Sequence, residues 1–242
     1  MKLKISNRKD FISNVLSPIS NLNDSAIIKV EKNVISNITA SQDATLILYT
    51  ESICECDDSR NLNIPDVKKF IRVLECVESD DVEFEILSNN IQHNSSSFKF
   101  KYHLLEEGIV KLPSINIKKI NDLKFDTVFD VAESKLNTLF KGASFTTESN
   151  KLYIYLENNT VFGELGDRNR HNSDNFQTIL STTYEGTALP KTIPINFETF
   201  RLINFNKCSD IKFSINIQFG VVKISLSKGN TNLIYIVSAL IN

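Results

Sequence analysis

The stretch IPDVKKFIRVLECVESDDVEFEI, residues 64–86, has a second version at residues 193–215, IPINFETFRLINFNKCSDIKFSI. Both open on Ile-Pro and set a Phe (Phe70, Phe200) in a short helical pattern. Both then reach an Asp followed by an alternating strand: Asp81-Val82-Glu83-Phe84-Glu85-Ile86 against Asp210-Ile211-Lys212-Phe213-Ser214-Ile215. A duplicated unit makes every other segment readable in pairs. Lys4 then matches Lys124, Val15 matches Leu139, and Val30-Glu31 matches Leu156-Glu157. Phe98-x-Phe100-x-Tyr102 matches Val222-x-Ile224-x-Leu226, with an offset that stays between 120 and 130 throughout. A period above about 100 residues means paired domains and not a solenoid.

Periodicity fills in the elements between these anchors. Residues 2–5 alternate as a short strand, and Phe11, Ile12, Val15, Leu16 and Ile19 form a helical stripe that Pro18 should end or kink. Strands are predicted over 26–30, 34–38, 45–50 and 60–64. Pro65 suits the first turn of a helix, whose Val67, Phe70, Ile71 and Leu74 follow i, i+3, i+4, i+7. Residues 82–87 and 97–105 read as a hairpin closed by the polar turn NNIQHNSSS. Gly108 and Pro113 interrupt the pattern, so 106–121 is the linker, with domains at 1–112 and 113–242. Beyond it come a strand over 123–131, a helix striped by Ala132, Leu136, Leu139, Phe140 and Ala143, strands over 151–156, 161–165, 176–184 and 191–193, the second Ile-Pro helix over about 196–205, and three closing strands. The fold class is α+β, with antiparallel sheets and two helices per unit.

Composition narrows the function. The chain has 242 residues, 41% of them hydrophobic, enough for a core throughout, and a net charge of −2 that argues against a surface basic all over. The N-terminus MKLKISNRKD has no apolar run of the signal-peptide kind, and nowhere do about 18 apolar residues occur together, so no membrane span is expected. A soluble, cytoplasmic protein is expected. Cys54, Cys56, Cys76 and Cys208 should be free thiols, because no second Cys or His pair stands at zinc-ligand spacing. No metal or other cofactor is expected. No nucleophile elbow, zinc-protease motif, phosphate loop or dinucleotide fingerprint is present, so no enzyme is expected.

The helices share one bias. Lys68, Lys69 and Arg72 lie opposite the apolar stripe of the first Ile-Pro helix. Arg8 and Lys9 flank the first stripe, Lys135 and Lys141 belong to the third helix, Arg201 to the fourth, and Lys207 follows it. A single charged face is ordinarily just a solvated face. Four such faces in a slightly acidic chain suggest one surface that meets a polyanion through phosphates, without sequence preference.

A duplicated unit with two basic-faced helices resembles the sliding DNA clamps of the PCNA and tailed-phage type. Gly163-Glu164-Leu165-Gly166 followed by Phe176-Gln177-Thr178-Ile179-Leu180-Ser181 resembles a strand pair of the eukaryotic clamp, and Arg201-Leu202-Ile203-Asn204-Phe205 resembles its last helix. The resemblance covers essentially the whole chain, with diffuse motifs. A composition rich in Asn, Ile, Lys and Ser, with a short linker, is closer to a phage clamp, which would act in the cytoplasm of a host cell. The resemblance implies two similar clamp-type domains per subunit, assembled as a closed homotrimeric ring whose helices face duplex DNA. It implies a processivity factor with a replicative DNA polymerase and a clamp loader as partners. Subunits would join through Phe98, Phe100, Tyr102 and Leu104 of one copy and Phe176, Thr178, Leu180 and Thr182 of the next. A partner-peptide pocket would draw on Ile38, Ala44 and Leu46, on Ile109, Val110 and Ile115 of the linker, and on Gly220 and Ile236. The absence of Pro near the last strand departs from the eukaryotic pattern and weakens the pocket assignment. Two rival readings stay open: a monomeric or dimeric processivity subunit that grips DNA directly, and a duplicated β-rich structural virion protein.

Overall fold

The alternating segments form antiparallel strands whose apolar sides build the core, and the helical stripes lie on that core. The structure, a computed structural model, describes residues 1–111, 113, 120, 122–146, 150–170 and 172–240. Two compact units divide the chain: Met1–Ile115 with Gly229–Leu233, and Asn116–Lys228 with Ile234–Asn242. Gly229–Leu233 thus pack with the first unit, where the Ile53 N–H donates to the Asn230 carbonyl (3.3 Å) and the Ser52 and Thr231 hydroxyls lie 2.9 Å apart.

The first unit runs β1 (Lys2–Ile5), α1 (Arg8–Phe11), a π-helical stretch (Ile12–Leu16), α2 (Ser17–Ser20), β2 (Ala26–Glu31), β3 (Val34–Ala40), β4 (Leu46–Ile53), β5 (Glu55–Cys56), β6 (Arg60–Ile64), α3 (Val67–Glu75), β7 (Val82–Ile86), β8 (Asn90–Asn94) and β9 (Lys99–His103). The second runs β10 (Thr127–Asp130), α4 (Glu133–Gly142), β11 (Lys151–Glu157), β12 (Thr160–Leu165), β13 (Phe176–Ser181), β14 (Glu185–Gly186), β15 (Ile193–Asn196), α5 (Phe197–Arg201), β16 (Asp210–Asn216) and β17 (Val221–Lys228), and takes the larger part, from Ile234 on, of β18 (Thr231–Ser238). Strand order repeats between the units. β5-β1-β7-β8-β9 in the first corresponds to β14-β10-β16-β17-β18 in the second, and β4-β3-β2-β6 to β13-β12-β11-β15.

That correspondence corrects several sequence expectations. Residues 82–87 and 97–105 do not pair directly, because β8 lies between them. β8 reads as a polar turn, NIQHN, yet Asn90, Ile91 and His93 are buried. The His93 ring packs against Phe84 and Phe100, and its Nδ1 lies 2.9 Å from the Glu83 carbonyl. With β8 counted, β9 is the counterpart of β18, and the match of Phe98-x-Phe100-x-Tyr102 to Val222-x-Ile224-x-Leu226 falls one strand out. Leu3 faces Phe84 and Phe129 faces Phe213. Phe84 and Phe213 are therefore equivalent, and Leu3 pairs with Phe129, so Lys4 does not match Lys124.

The Ile-Pro dipeptides are also one residue out of step. α3 is N-capped by Asp66, whose carboxylate accepts the Lys69 N–H, and α5 by Asn196, whose side chain accepts the Thr199 N–H. Counted from the caps, Phe70 matches Phe200, but Pro65 lies just outside its helix and Pro194 lies inside β15, opposite Tyr153. Pro18 is absorbed and does not end its helix. The Ser17 N–H reaches back five residues to the Ile12 carbonyl, and Pro18 sits in the opening turn of α2, where a missing N–H costs little.

Aromatic packing fixes each α3-type helix. Phe70 lies between Phe84 (6.3 Å between ring centres) and Tyr102 (4.9 Å), and in the second unit Phe140 packs on Phe197, Phe200 and Phe205. Burial pushes the Tyr102 phenol up to about 12; its hydroxyl donates to the Asp66 carbonyl (2.6 Å) and accepts the Asp66 N–H (3.2 Å). The edge strand β9 is thereby tied to the start of α3. Among the described residues no helix is long and apolar enough to cross a membrane.

Gly186 gives a direct test of the β10–β14 pairing. Its φ is +92°, and a Cβ there would collide with the backbone carbonyl of Asp126, which also accepts the Thr187 N–H (2.7 Å). Gly186→Ala is expected to cost about 2–3 kcal/mol and to lower the thermal midpoint by roughly 8 °C. An unchanged melting curve would mean that β14 does not hold this conformation in solution.

Candidate nucleic-acid interface

The helix faces sort the proposed cations into three groups. In α3, Val67, Phe70 and Leu74 are buried, Ile71 is half-buried, and Lys68, Lys69 and Arg72 are exposed on the opposite side. The Lys68 ammonium is 3.1 Å from the Asp24 carboxylate, while Lys69 and Arg72 have no ion-pair partner among the described residues. In α4, Lys135 and Lys141 are likewise exposed and unpaired among the described residues. Lys9 is exposed 3.2 Å from Asp80, and Arg201 is 3.2 Å from Glu198 and 4.8 Å above the Phe197 ring. Lys207 is exposed in a left-handed turn (φ 58°), and its backbone N–H donates to the Glu133 carboxylate in the first turn of α4.

Arg8 is the clear correction. It is only 7% exposed and does not belong to a solvated face. Its guanidinium donates to the Leu74 carbonyl (2.8 Å) and the Ser79 carbonyl (3.0 Å), with Asp80 at 3.9 Å. A planar five-donor fork fits there because the last carbonyls of α3 have no intrahelical partner and form the negative end of its dipole. Lys228 is also withdrawn from the surface. Alternation along β17 sets it beside Val222, Ile224 and Leu226 on the core side, and burial lowers its pKa.

Two sheet edges hold the strands expected to join subunits. β9 is last in its sheet, with Lys99, Lys101 and His103 exposed, Phe98 and Phe100 half-buried and Tyr102 buried; Leu104 follows, its N–H on the Asn89 carbonyl (2.8 Å). β13 is likewise last in its sheet. The Phe176 ring covers Gly142 of α4, Leu180 packs on Gly163, Thr178 is half-buried, and Ile179 faces outward at 37% exposure. Thr182 lies just past the strand end, exposed.

The peptide-pocket residues are only partly gathered. Ile38, Ala44 and Val110 line one groove of about 300 Å³ in the first unit, together with Ile27, Gln42, Lys111 and Pro113. Leu46 is fully buried and does not line this groove, and Ile109 stands 58% exposed outside the lining. Gly220, in the left-handed turn before β17, and Ile236, buried on β18, belong to the second unit; Ile115 lies outside the described residues. Ser41, Gln42 and Ala44 of the lining belong to a turn held by Asp43, which accepts from the Ser41 hydroxyl (2.6 Å), the Thr45 N–H (3.2 Å) and the Thr45 hydroxyl (2.9 Å). The Ser41 hydrogen bond leads in holding this carboxylate below its ordinary range, and Ala44 is left at φ 55°. The turn signal of Ser41-Gln42-Asp43 was available in the sequence; its closeness to Lys111 and Pro113 was not.

Among the described residues no three His, Cys, Asp or Glu side chains gather as a metal site, and all four cysteines are free.

No family model matches the chain, and no curated protein sequence matches it. A solved structure described as the C-terminal region of FEN-1 bound to A. fulgidus PCNA is similar over 100% of this chain and 99% of that chain, with a TM-score of 0.76 at 13% identity. This chain has a PCNA-like clamp fold. At that identity the likeness is one of fold, and it spans the full length. The PCNA-like fold accounts for the repeated strand order and for helices that show one polar face.

Proposed function

We propose that the chain is a sliding clamp, a non-catalytic processivity factor of two similar clamp-type domains that closes into a ring of three copies around duplex DNA and tethers a replicative polymerase. The observation behind this reading is the clamp fold over the whole chain, combined with two open sheet edges of different kinds. In this reading β9 of one copy, the last strand of its sheet, joins β13 of the next, likewise the last strand of its sheet. Such a heterologous contact generates a ring when its rotation closes, and it protects backbone edges that would otherwise aggregate. The groove at Ile38, Ala44 and Val110 is the proposed dock for short peptides of the polymerase and the clamp loader, and the site of action is the cytoplasm, that of a host cell for a phage protein.

A ring holds DNA by topology, so weak, non-specific phosphate attraction from a few Lys and Arg is sufficient. Native mass measurement should give three times the 27.4 kDa subunit, and loaded protein should stay on closed circular DNA and slide off linear DNA. A monomer that binds short duplexes tightly without a loader would replace the ring with a direct grip. Assembly with no dependence on DNA or polymerase would replace both with a structural role.

A further inference from the structure

The helices α3 and α5 occupy equivalent places in their units, yet their cations differ in what they are free to bind. On α3, Lys69 and Arg72 are three residues apart, about 60° around the axis, and so share one face. Both are exposed and have no ion-pair partner among the described residues. Lys68, one turn before Arg72, has Asp24 as partner, but both side chains are well exposed (59% and 81%), so solvent screens the pair and a phosphate can displace it. The helix is also held at both ends. Asp66 caps its start and is itself clasped by the Tyr102 hydroxyl, while the buried Arg8 holds the Leu74 carbonyl near its end.

The other helices lack this arrangement. On α5 the one cation, Arg201, is engaged by Glu198 and the Phe197 ring. On α4, Lys135 and Lys141 are six residues apart and diverge by about 120° around the axis. The segment from α1 to α2 has Arg8 buried, Lys9 beside Asp80, the exposed acid Asp10, and no further cation. We infer that α3 is the main phosphate-binding element of the chain, so that DNA contact divides unequally between the two units. The inference rests on the clamp reading for its ligand, duplex DNA, and goes beyond it in assigning the contact to Lys69 and Arg72 and away from Arg201.

The test measures binding of a short fluorescein-labelled duplex by the full chain between about 50 and 200 mM salt, where each phosphate contact contributes about 0.9 to the slope of log K against log salt. Lys69→Gln with Arg72→Gln should reduce the magnitude of the slope by about 1.8 per subunit and weaken binding roughly tenfold or more at the lowest salt. Arg201→Gln should change neither. Thermal melting of both variants, at exposed positions, should match the parent. A slope unchanged by the double substitution, or lowered as much by Arg201→Gln, overturns the assignment to α3 and leaves the clamp standing. Parent protein that binds no duplex at any salt, and shows only monomer mass, overturns the clamp itself.

Discussion

Ile179→Lys is expected to leave a folded 27.4 kDa monomer that is not retained on circular DNA, whereas Ile179→Glu should still assemble. Ile179 is, with Gln177, an outward residue of the open edge strand β13, and the apolar one of the two; it is paired with Phe162 in the ladder. The outward residues of β9 are Lys99, Lys101 and His103. If β9 of one copy lies along β13 of the next, a lysine at 179 meets cations across the strand pair and removes apolar area from the contact. The combined cost is about 2 kcal/mol per interface, roughly thirtyfold in its association constant, repeated at every joint of a ring. A glutamate at the same place meets the same cations with opposite sign. Native mass and retention on circular against linear DNA read both variants. Equal assembly of the lysine and glutamate variants would remove β13 from the interface.

Arg8→Ala should destabilise the protein by about 3 kcal/mol, roughly a hundredfold in the folding equilibrium, with no loss of DNA affinity per folded molecule. The guanidinium is nearly enclosed and ties the Leu74 carbonyl, which also accepts the Val77 N–H (3.0 Å), to the Ser79 carbonyl beyond the helix, so truncation removes two charge-assisted hydrogen bonds and leaves a space where the side chain was. Arg8→Lys should recover only part of the loss, because a single ammonium cannot span both carbonyls with the geometry of a fork. Urea unfolding measures the stability, and duplex binding at matched folded concentration measures the rest. A variant of normal stability with weakened DNA binding would return Arg8 to the surface.

The two effects follow from different levels of the molecule. Phe70, Phe84, Phe200 and Phe213 were legible as a repeat because each is the large apolar member of a periodic pattern, and periodicity is a local property. The exposed face of α3 was legible for the same reason: once Val67, Phe70 and Leu74 are set on the core, Lys68, Lys69 and Arg72 have nowhere to point but outward. The strand β8 was not legible, since NIQHN has the composition of a turn. It is a strand because β7 and β9 flank it and Phe84 and Phe100 give His93 an aromatic site. Missing it shifted the last strand match by one place. The Ile-Pro pairing misled by one residue for a related reason, because a dipeptide is read before the cap that sets the helix start.

Sequence alone therefore determined the α+β class, the doubled unit and the outward cations of α3, all of which rest on residue spacing within single elements. Tertiary structure decided which cations are free, which strands end a sheet, and which residues meet in the groove. Arg8 shows why. Its neighbours in sequence are polar and exposed, and only the packing of α1 beside the end of α3 supplies the Leu74 and Ser79 carbonyls that draw its side chain inward. Charge is written in the sequence, but its availability depends on distant partners such as the Ser79 carbonyl, 71 residues from Arg8 along the chain.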